Sequence, residues 1–262
     1  MELGLRDKVA LVAASSRGLG YAIAHELATE GAAIVLCARS EERLKQAARE
    51  IAEATGARVV PVAGDVAKLA DVGAIVRRAL DELGRVDVLV TNSGGPPAGT
   101  FETTSPEAWK AAVDVLLTSA VELIRAVLPG MKQRRFGRIL NVTSITVKQP
   151  VENLILSNAL RAAVTGMART LASETACFGI TVNNLLPGYT RTERLTELAE
   201  ATAARGGTVK EFYARLETEI PARRLGEPRE LAALAAFLAS ERAAYITGQS
   251  IAVDGGWIRG LF

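Results

Sequence analysis

The chain has 262 residues with 31 basic and 29 acidic side chains, and its formal net charge is +2. Hydrophobic residues make up 49% and charged residues 23% of it, which is typical of a folded globular protein and excludes intrinsic disorder. The near balance of charges argues against nucleic-acid or anionic-membrane partners. With two cysteines and one histidine, a disulfide scaffold, a zinc site or a serine-histidine-aspartate triad is disfavoured. We therefore predict no metal site.

Short apolar runs alternate with segments that carry apolar residues at helical spacing. In chain order they predict strand Val9–Ala13, helix Gly20–Glu30, strand Ala33–Cys37, helix Glu41–Ala54, strand Arg58–Val62, helix Leu69–Leu83, strand Val86–Val90, helix Pro106–Met131, strand Arg138–Thr143, helix Asn158–Ala176 and strand Thr181–Leu186. Strands that are apolar almost throughout are buried on both faces, and the alternation indicates βαβ units. The predicted fold class is α/β, with a doubly wound parallel sheet whose ligand site lies beyond the carboxyl ends of the strands.

The last third of the chain departs from this rhythm. Residues 189–228 are helical in pattern, charged and interrupted by Gly206 and Gly207. We interpret this 189–228 segment as a helical, lid-like insertion over the site, and a plain surface excursion is the alternative. A helix at Arg229–Ala239 and a last strand within Ile246–Trp257 follow, so we expect one domain spanning residues 1–262.

No apolar stretch approaches the roughly 20 residues of a membrane-spanning helix. The first six residues also lack the apolar centre of a signal peptide. We expect a cytoplasmic protein without a membrane partner.

A turn of small residues follows the first strand directly and opens the first helix. Free amide groups at a helix N-terminus bind a pyrophosphate well, and a tight connection without a ligand is the alternative. The residues expected to contact the phosphates are Ser15, Ser16, Arg17, Gly18, Leu19 and Gly20.

This turn resembles that of the short-chain dehydrogenase/reductase family, classical type, and the resemblance extends over essentially the whole chain. The family turn is Thr-Gly-x-x-x-Gly-x-Gly, in which Gly18 and Gly20 match the second and third glycines. Ala13 and Ala14 replace the threonine and the first glycine. The added methyl group is costly if φ must be positive there. The resemblance, which is to the 3-oxoacyl-carrier-protein-reductase-like branch, implies a Rossmann-like fold of about seven strands.

Three further motifs are similar to family segments that line the cofactor cleft. They are the adenine-contacting pair Asp65 and Val66, the adenosine-lining Asn92, Ser93 and Gly94, and the nicotinamide-contacting Pro187, Gly188 and Thr192. A helix N-cap for Asp65 and a simple strand-exit turn for Pro187 are the alternatives.

The cofactor preference depends on the end of the second strand. NAD-preferring family members usually carry an acid there, and this chain has Cys37, Ala38 and Arg39 instead. Arg39 and Arg17 would form a positive fork suited to a 2′-phosphate. We therefore favour NADP(H) over NAD(H); the alternative is that both arginines are solvated surface charges.

The reaction centre departs from the family pattern. Family members place a serine after the fifth strand, a tyrosine thirteen residues later and a lysine four residues after that. Here Ser144 matches the serine, but Ser157 replaces the tyrosine and Arg161 replaces the lysine. The family asparagine, seven residues after Trp109, is Leu116. The resemblance implies that Ser144 and Ser157 polarise the substrate oxygen and that Arg161 holds the nicotinamide ribose.

These substitutions leave two functions open. A serine hydroxyl is a far weaker acid than a phenol, and arginine stays protonated, so a different proton donor would be needed, such as Tyr189, Lys148 or water. The favoured hypothesis is an NADP(H)-dependent oxidoreductase acting on a small carbonyl compound or secondary alcohol. The alternative is a nucleotide-binding sensor or assembly subunit that has lost the chemistry. Family members commonly form homotetramers, so we expect a homotetramer or a homodimer.

Overall fold

A seven-stranded parallel sheet forms the centre of the protein, which we describe for residues 2–204 and 206–261 of a computed structural model. The strands are β1 (Val9–Ala13), β2 (Ala33–Ala38), β3 (Val59–Ala63), β4 (Val88–Thr91), β5 (Gly137–Val142), β6 (Ile180–Pro187) and β7 (Ser250–Val253). Their order is β3-β2-β1-β4-β5-β6-β7, so the chain direction across the sheet reverses between β1 and β4. This order confirms the predicted doubly wound, Rossmann-like α/β fold, in which a crevice opens at that reversal.

Nine α-helices surround the sheet in the described residues. They are α1 (Gly18–Thr29), α2 (Glu41–Thr55), α3 (Leu69–Leu83), α4 (Pro106–Val113), α5 (Ser119–Arg134), α6 (Ile155–Thr175), α7 (Glu193–Ala203), α8 (Val209–Glu219) and α9 (Pro228–Ala239). One apolar cluster joins α1, α2 and α9 to one face of the sheet, and a second joins α3, α5 and α6 to the other. None of these helices is long and apolar enough to cross a bilayer.

The predicted helix Pro106–Met131 is interrupted in the structure. A π-helical turn at Asp114–Thr118 separates α4 from α5, and the buried Leu116 lies within it. Periodicity alone could not show this turn, because it adds a residue without changing the apolar character of the helix face. Helix α6 also begins three residues earlier than predicted, which places Ser157 in its first turn. Such π-turns occur frequently at functional sites.

The 189–228 segment contains α7 and α8, which enclose a small apolar cluster of their own. Leu195, Leu216, Ile220 and Leu225 are buried in it, and Tyr189 packs against them. A single bridge between Thr190 and Gly226 closes the base of the segment. Its role as a lid remains a prediction. Arg205 in this segment, and the predicted domain limits Met1 and Phe262, lie outside the described residues.

A buried carboxylate joins elements at the amino ends of the strands. Asp87 is fully buried and accepts hydrogen bonds from the Val9 amide (3.0 Å) and from Arg85 Nε (2.8 Å). Arg134 Nε of α5 lies 3.4 Å from the same carboxylate. Two partly exposed arginines and the buried Val9 amide surround it, so removing this carboxylate would leave that amide without its partner.

We expect Asp87→Ala to lower the free energy of unfolding by about 2 kcal/mol, within the range for a buried donor left without its partner. Urea denaturation followed by circular dichroism measures this value. The Asp87→Asn variant keeps one acceptor and should lose less. Equal stability of Asp87→Ala and the parent would show that the contacts of this carboxylate contribute nothing to folding.

The turn between β1 and α1 has a strained backbone. Ala14 has φ +47°, which is in the left-handed region that favours glycine. The methyl group of Ala14, which replaces the first glycine of the family turn, is therefore energetically costly at this position. At Gly20 a Cβ atom would overlap the Ala14 carbonyl oxygen and lie 2.8 Å from Asn92 Nδ2. Gly20 is therefore required by close packing, whereas Ala14 is tolerated under strain.

We expect Ala14→Gly to raise the free energy of unfolding by about 1 kcal/mol, because it removes a left-handed alanine. The matched control is Ala214→Gly at an exposed position of α8, which should lose about 0.5–1 kcal/mol instead. Both values come from urea denaturation. If both substitutions destabilise the protein equally, Ala14 is not strained in solution.

Candidate active site

The amino terminus of α1 carries the donors of the phosphate turn. Its N-cap residue, Arg17, is extended, and no side chain caps the helix. The first amide groups of the helix therefore have no partner within the helix and are available to an anion. Thr192 lies over this turn, since its Cγ2 is 3.8 Å from the position of a Cβ on Gly18. The structure thus brings the predicted phosphate turn and the Pro187 segment together.

Ser15, one of the predicted phosphate contacts, has a structural role at the end of β1. It is fully buried, its hydroxyl donates to the Val12 carbonyl (2.7 Å) and accepts from the Cys37 amide (3.0 Å), and its own amide donates to the Cys37 carbonyl (3.0 Å). Every donor of Ser15 is therefore used to join β1 to β2. Leu19 packs its side chain against the core, so only its backbone can face a ligand, whereas Ser16 is half-buried in the turn.

Asn92 fixes the turn from the neighbouring strand. Its Nδ2 donates to the Ala14 carbonyl at 3.2 Å and so joins the end of β4 to the turn after β1. Ser93 Oγ is 3.4 Å from the Gly94 carbonyl, and Gly94 has open space where a side chain would be. A backbone of this kind allows a ligand to approach closely.

The predicted adenine and nicotinamide segments have local structural roles as well. Asp65 Oδ1 accepts from the Ala67 amide at 3.1 Å and shapes the loop before α3, while Val66 packs against the core. Gly188 donates to the Val253 carbonyl at 3.0 Å, and a Cβ on it would lie 2.7 Å from Asp254 Cα. These contacts fix the exits of β3 and β6 at the cleft.

The predicted fork of Arg17 and Arg39 is not found in this form. Arg17 is ion-paired with Glu193 of α7 and lies 3.7 Å from Glu197, while Arg39 is exposed directly after β2. The arginine that shares an anionic partner with Arg17 is Arg43, 3.9 Å from Glu193. Sequence reasoning missed Arg43, although a basic residue in the first turn of a helix is unfavourable unless an anion lies nearby.

The residues that replace the family's catalytic pair contact each other. Arg161 Nε donates to Ser157 Oγ at 3.2 Å, and Arg161 Nη1 donates to the Val142 carbonyl at 2.9 Å. Val142 ends β5, and Ser144, two residues further on, accepts from the Thr146 amide at 3.1 Å. Arg161 therefore holds the start of α6 against the end of β5 and places its charge at the carboxyl edge of the sheet.

The charge of Arg161 is held in a desolvated environment. Burial, followed by the positive charge of Arg194, lowers the pKa of its guanidinium to about 10. At neutral pH the group is therefore still a cation, able to donate hydrogen bonds but unable to act as a base.

Arg194 was not predicted from the sequence. It extends from α7 so that its Nη2 donates to the Pro96 carbonyl at 2.7 Å, and its Nε is 2.8 Å from where a Cβ on Gly95 would lie. Helix α7 thereby contacts the loop after β4. No local pattern indicates this contact, because it joins residues about a hundred positions apart in the chain.

Two cavities border these residues. A small one of about 10 Å³ is lined by Arg161, Leu116, Ser119 and Asn92 among others, and it has room for about one water molecule. Because Leu116 is apolar, its side chain offers this cavity no hydrogen bond. The larger cavity, about 650 Å³, lies between α1 and the start of α9 and contains none of the predicted catalytic residues.

The two side chains considered as replacement proton donors lie in other environments. Tyr189 packs edge-on against Trp257 with ring centroids 5.6 Å apart, and burial, followed by the charge of Glu219, raises the pKa of its phenol. Lys148 is exposed after the turn at Ile145–Val147. Within the described residues neither side chain hydrogen-bonds Ser144 or Arg161, so the structure gives no support for either as proton donor.

Comparisons with known proteins agree with this geometry. A family model described as enoyl-(acyl carrier protein) reductase matches residues 13–258. The chain is 37% identical over 254 residues to 3-oxoacyl-(acyl-carrier-protein) reductase FabG of Vibrio cholerae serotype O1, covering 97% of this chain and 98% of that protein. It is 32% identical over 259 residues to NADPH-dependent reductase BacG of Bacillus subtilis, covering 98% and 100%.

Solved structures give the same result. The L-sorbose reductase of Gluconobacter frateurii, complexed with NADPH and L-sorbose, superposes with a TM-score of 0.95 at 38% identity over 100% of both chains. The chain therefore belongs to the short-chain dehydrogenase/reductase family, as a 3-oxoacyl-reductase-like oxidoreductase of its classical type.

Proposed function

We propose that the protein is an NADP(H)-dependent oxidoreductase that interconverts a small carbonyl compound and a secondary alcohol. The observation that carries this proposal is Arg161, a desolvated cation held at the carboxyl end of β5 by the Val142 carbonyl and Ser157 Oγ. A fixed guanidinium of this kind binds ribose hydroxyls and stabilises negative charge on a reacting oxygen. The NADPH named with BacG and with L-sorbose reductase supports the choice of cofactor.

The residues of the cleft fit a nicotinamide dinucleotide. The uncapped amides of α1 donate hydrogen bonds to a pyrophosphate. Asn92 keeps the turn in position through its hydrogen bond to the Ala14 carbonyl. Asp65 and Val66 face the adenine side, and Pro187, Gly188 and Thr192 face the nicotinamide side. When bound, the cofactor supplies or takes up the hydride.

In this proposal the chain itself provides polarisation and positioning. Ser144 donates a hydrogen bond to the substrate oxygen, and Ser157 supports it from the first turn of α6. Neither Arg161 nor the serines can supply a proton efficiently at neutral pH, so water protonates the oxygen. The loss of a dedicated acid typically costs a factor of 10² to 10⁴ in rate, so we expect a slow enzyme.

A second candidate function is a nucleotide-binding sensor or assembly subunit. The apolar Leu116 beside Arg161 favours it, because an enzyme that relayed protons through this cavity would need a polar side chain there. Both functions require the dinucleotide to bind, so titration with NADPH and NADH comes first, and only activity separates them.

We also propose that the protein forms a homotetramer or homodimer in the cytoplasm. Small exposed side chains on α6, Ala159, Ala162 and Ala163, allow close approach of a second copy. Sedimentation velocity tests this assembly.

We expect Ser144→Ala to lower kcat/KM for NADPH-dependent reduction of an acetoacetyl ester roughly 100-fold, as for loss of one donor to a reacting oxygen. The dissociation constant for NADPH should not change. The control is Ser173→Ala, at an exposed position of α6. An active parent that is indifferent to Ser144→Ala would contradict the proposed role of Ser144.

The double variant Ser157→Tyr/Arg161→Lys restores the family's pair, and we expect it to reduce the same ester about 10² times faster than the parent. NADPH absorbance measures both rates. If the parent has no activity above the uncatalysed rate while the double variant acquires it, the parent is a sensor or assembly subunit and the proposed function is wrong.

A further inference from the structure

Two arginines from different elements converge on one carboxylate where the amino ends of α1, α2 and α7 meet. Arg17 belongs to the turn after β1, and Arg43 to the first turn of α2. Oε2 of Glu193, the first residue of α7, contacts Arg17 Nη1 and lies 3.9 Å from Arg43 Nη1. The carboxylate thus occupies an anion position that neither arginine would form alone.

The helix dipoles make this position more positive still. Arg17 is the N-cap of α1, a helix that no side chain caps, and Arg43 is the third residue of α2. Both guanidinium groups therefore lie at positive helix ends, where a cation is unfavourable unless an anion balances it. Glu41 and Glu42 in the first turn of α2 supply part of that balance for Arg43, whereas the first turn of α1 carries no acid.

Glu193 is tethered rather than fixed by the core. Its side chain is 60% exposed, and it enters the position only because α7 follows the Thr192 turn. Glu197, one turn further on, lies 3.7 Å from Arg17 and also pairs with Arg194 at 3.3 Å. The carboxylate can therefore leave the two arginines when a stronger anion arrives.

We propose that Glu193 is a specificity-determining residue, a tethered carboxylate that holds the anion position between Arg17 and Arg43 and gives it up to the 2′-phosphate of an adenosine ribose. A phosphate monoester carries about 1.5 to 2 negative charges at pH 7. It also forms paired hydrogen bonds with guanidinium groups. It displaces Glu193, whereas a ribose hydroxyl does not. Glu193 lowers the affinity for the phosphorylated ligand and Arg43 raises it. This inference rests on the proposed preference for NADP(H).

The experiment uses ligands without a nicotinamide, so its result does not depend on hydride transfer. Calorimetric titration of the full chain with 2′,5′-ADP and with 5′-AMP isolates the contribution of the 2′-phosphate. We expect Glu193→Gln to tighten 2′,5′-ADP binding about fivefold, the upper range for an exposed ion pair, and to leave 5′-AMP unchanged. Arg43→Ala should weaken 2′,5′-ADP binding by a similar factor and leave 5′-AMP unchanged.

The matched control is Glu219→Gln on α8, which removes one glutamate from the same 189–228 segment and breaks its 3.7 Å pair with Arg215. It should change neither affinity. The inference is overturned if Glu193→Gln tightens both ligands equally or neither, if Arg43→Ala leaves 2′,5′-ADP binding unchanged, or if 2′,5′-ADP fails to bind any variant. Selective tightening in a protein that shows no hydride transfer would leave this inference standing and contradict the proposed function.

Discussion

The site depends on one constraint, the reversal of strand order between β1 and β4, which opens a crevice at the carboxyl ends of the strands. The loops after β1 and β4 must contact each other there while leaving room for a ligand. This contact is the hydrogen bond from Asn92 to the Ala14 carbonyl. Gly20 must lack a side chain because that carbonyl and amide lie against it. Ala14 has a left-handed backbone in this turn, and its carbonyl is held by Asn92. The turn is therefore kept in a strained conformation by its neighbours.

Arg161, which is predicted to replace the family's lysine, keeps a positive charge at the same place in the sequence motif but brings a guanidinium in place of an amine. A guanidinium placed between the Val142 carbonyl and Ser157 Oγ keeps a positive charge at the end of β5. It remains charged at neutral pH despite its desolvation, so it can hold and polarise but cannot accept a proton. The neighbouring Leu116 is consistent with this, since a fixed cation without proton transfer needs no polar relay beside it.

Helix α7 connects the two walls of the crevice through charge. Glu193 and Glu197 contact Arg17 on one side, and Arg194 contacts the Pro96 carbonyl on the other. The contacts with Arg17 are exposed ion pairs, individually weak and screened by salt, and the contact of Arg194 is a hydrogen bond to a backbone carbonyl, so together they hold the 189–228 segment in place without fixing it permanently. The apolar cluster around Leu216 gives the segment internal order that the ion pairs do not supply.

The sequence by itself determined most of the helices and strands, because apolar runs and helical spacing are local properties of the chain, and the handedness of βαβ units restricted them to a doubly wound fold. It also predicted that Ser157, Arg161 and Leu116 replace family residues, on their spacing from Ser144 and Trp109, and this stays a prediction. Only the tertiary structure decided the positive φ of Ala14, the burial of Ser15 and the pairing of Arg17 with α7. Each of these depends on contacts between residues distant in the chain, and a side chain's partner there is set by packing, which no local pattern encodes.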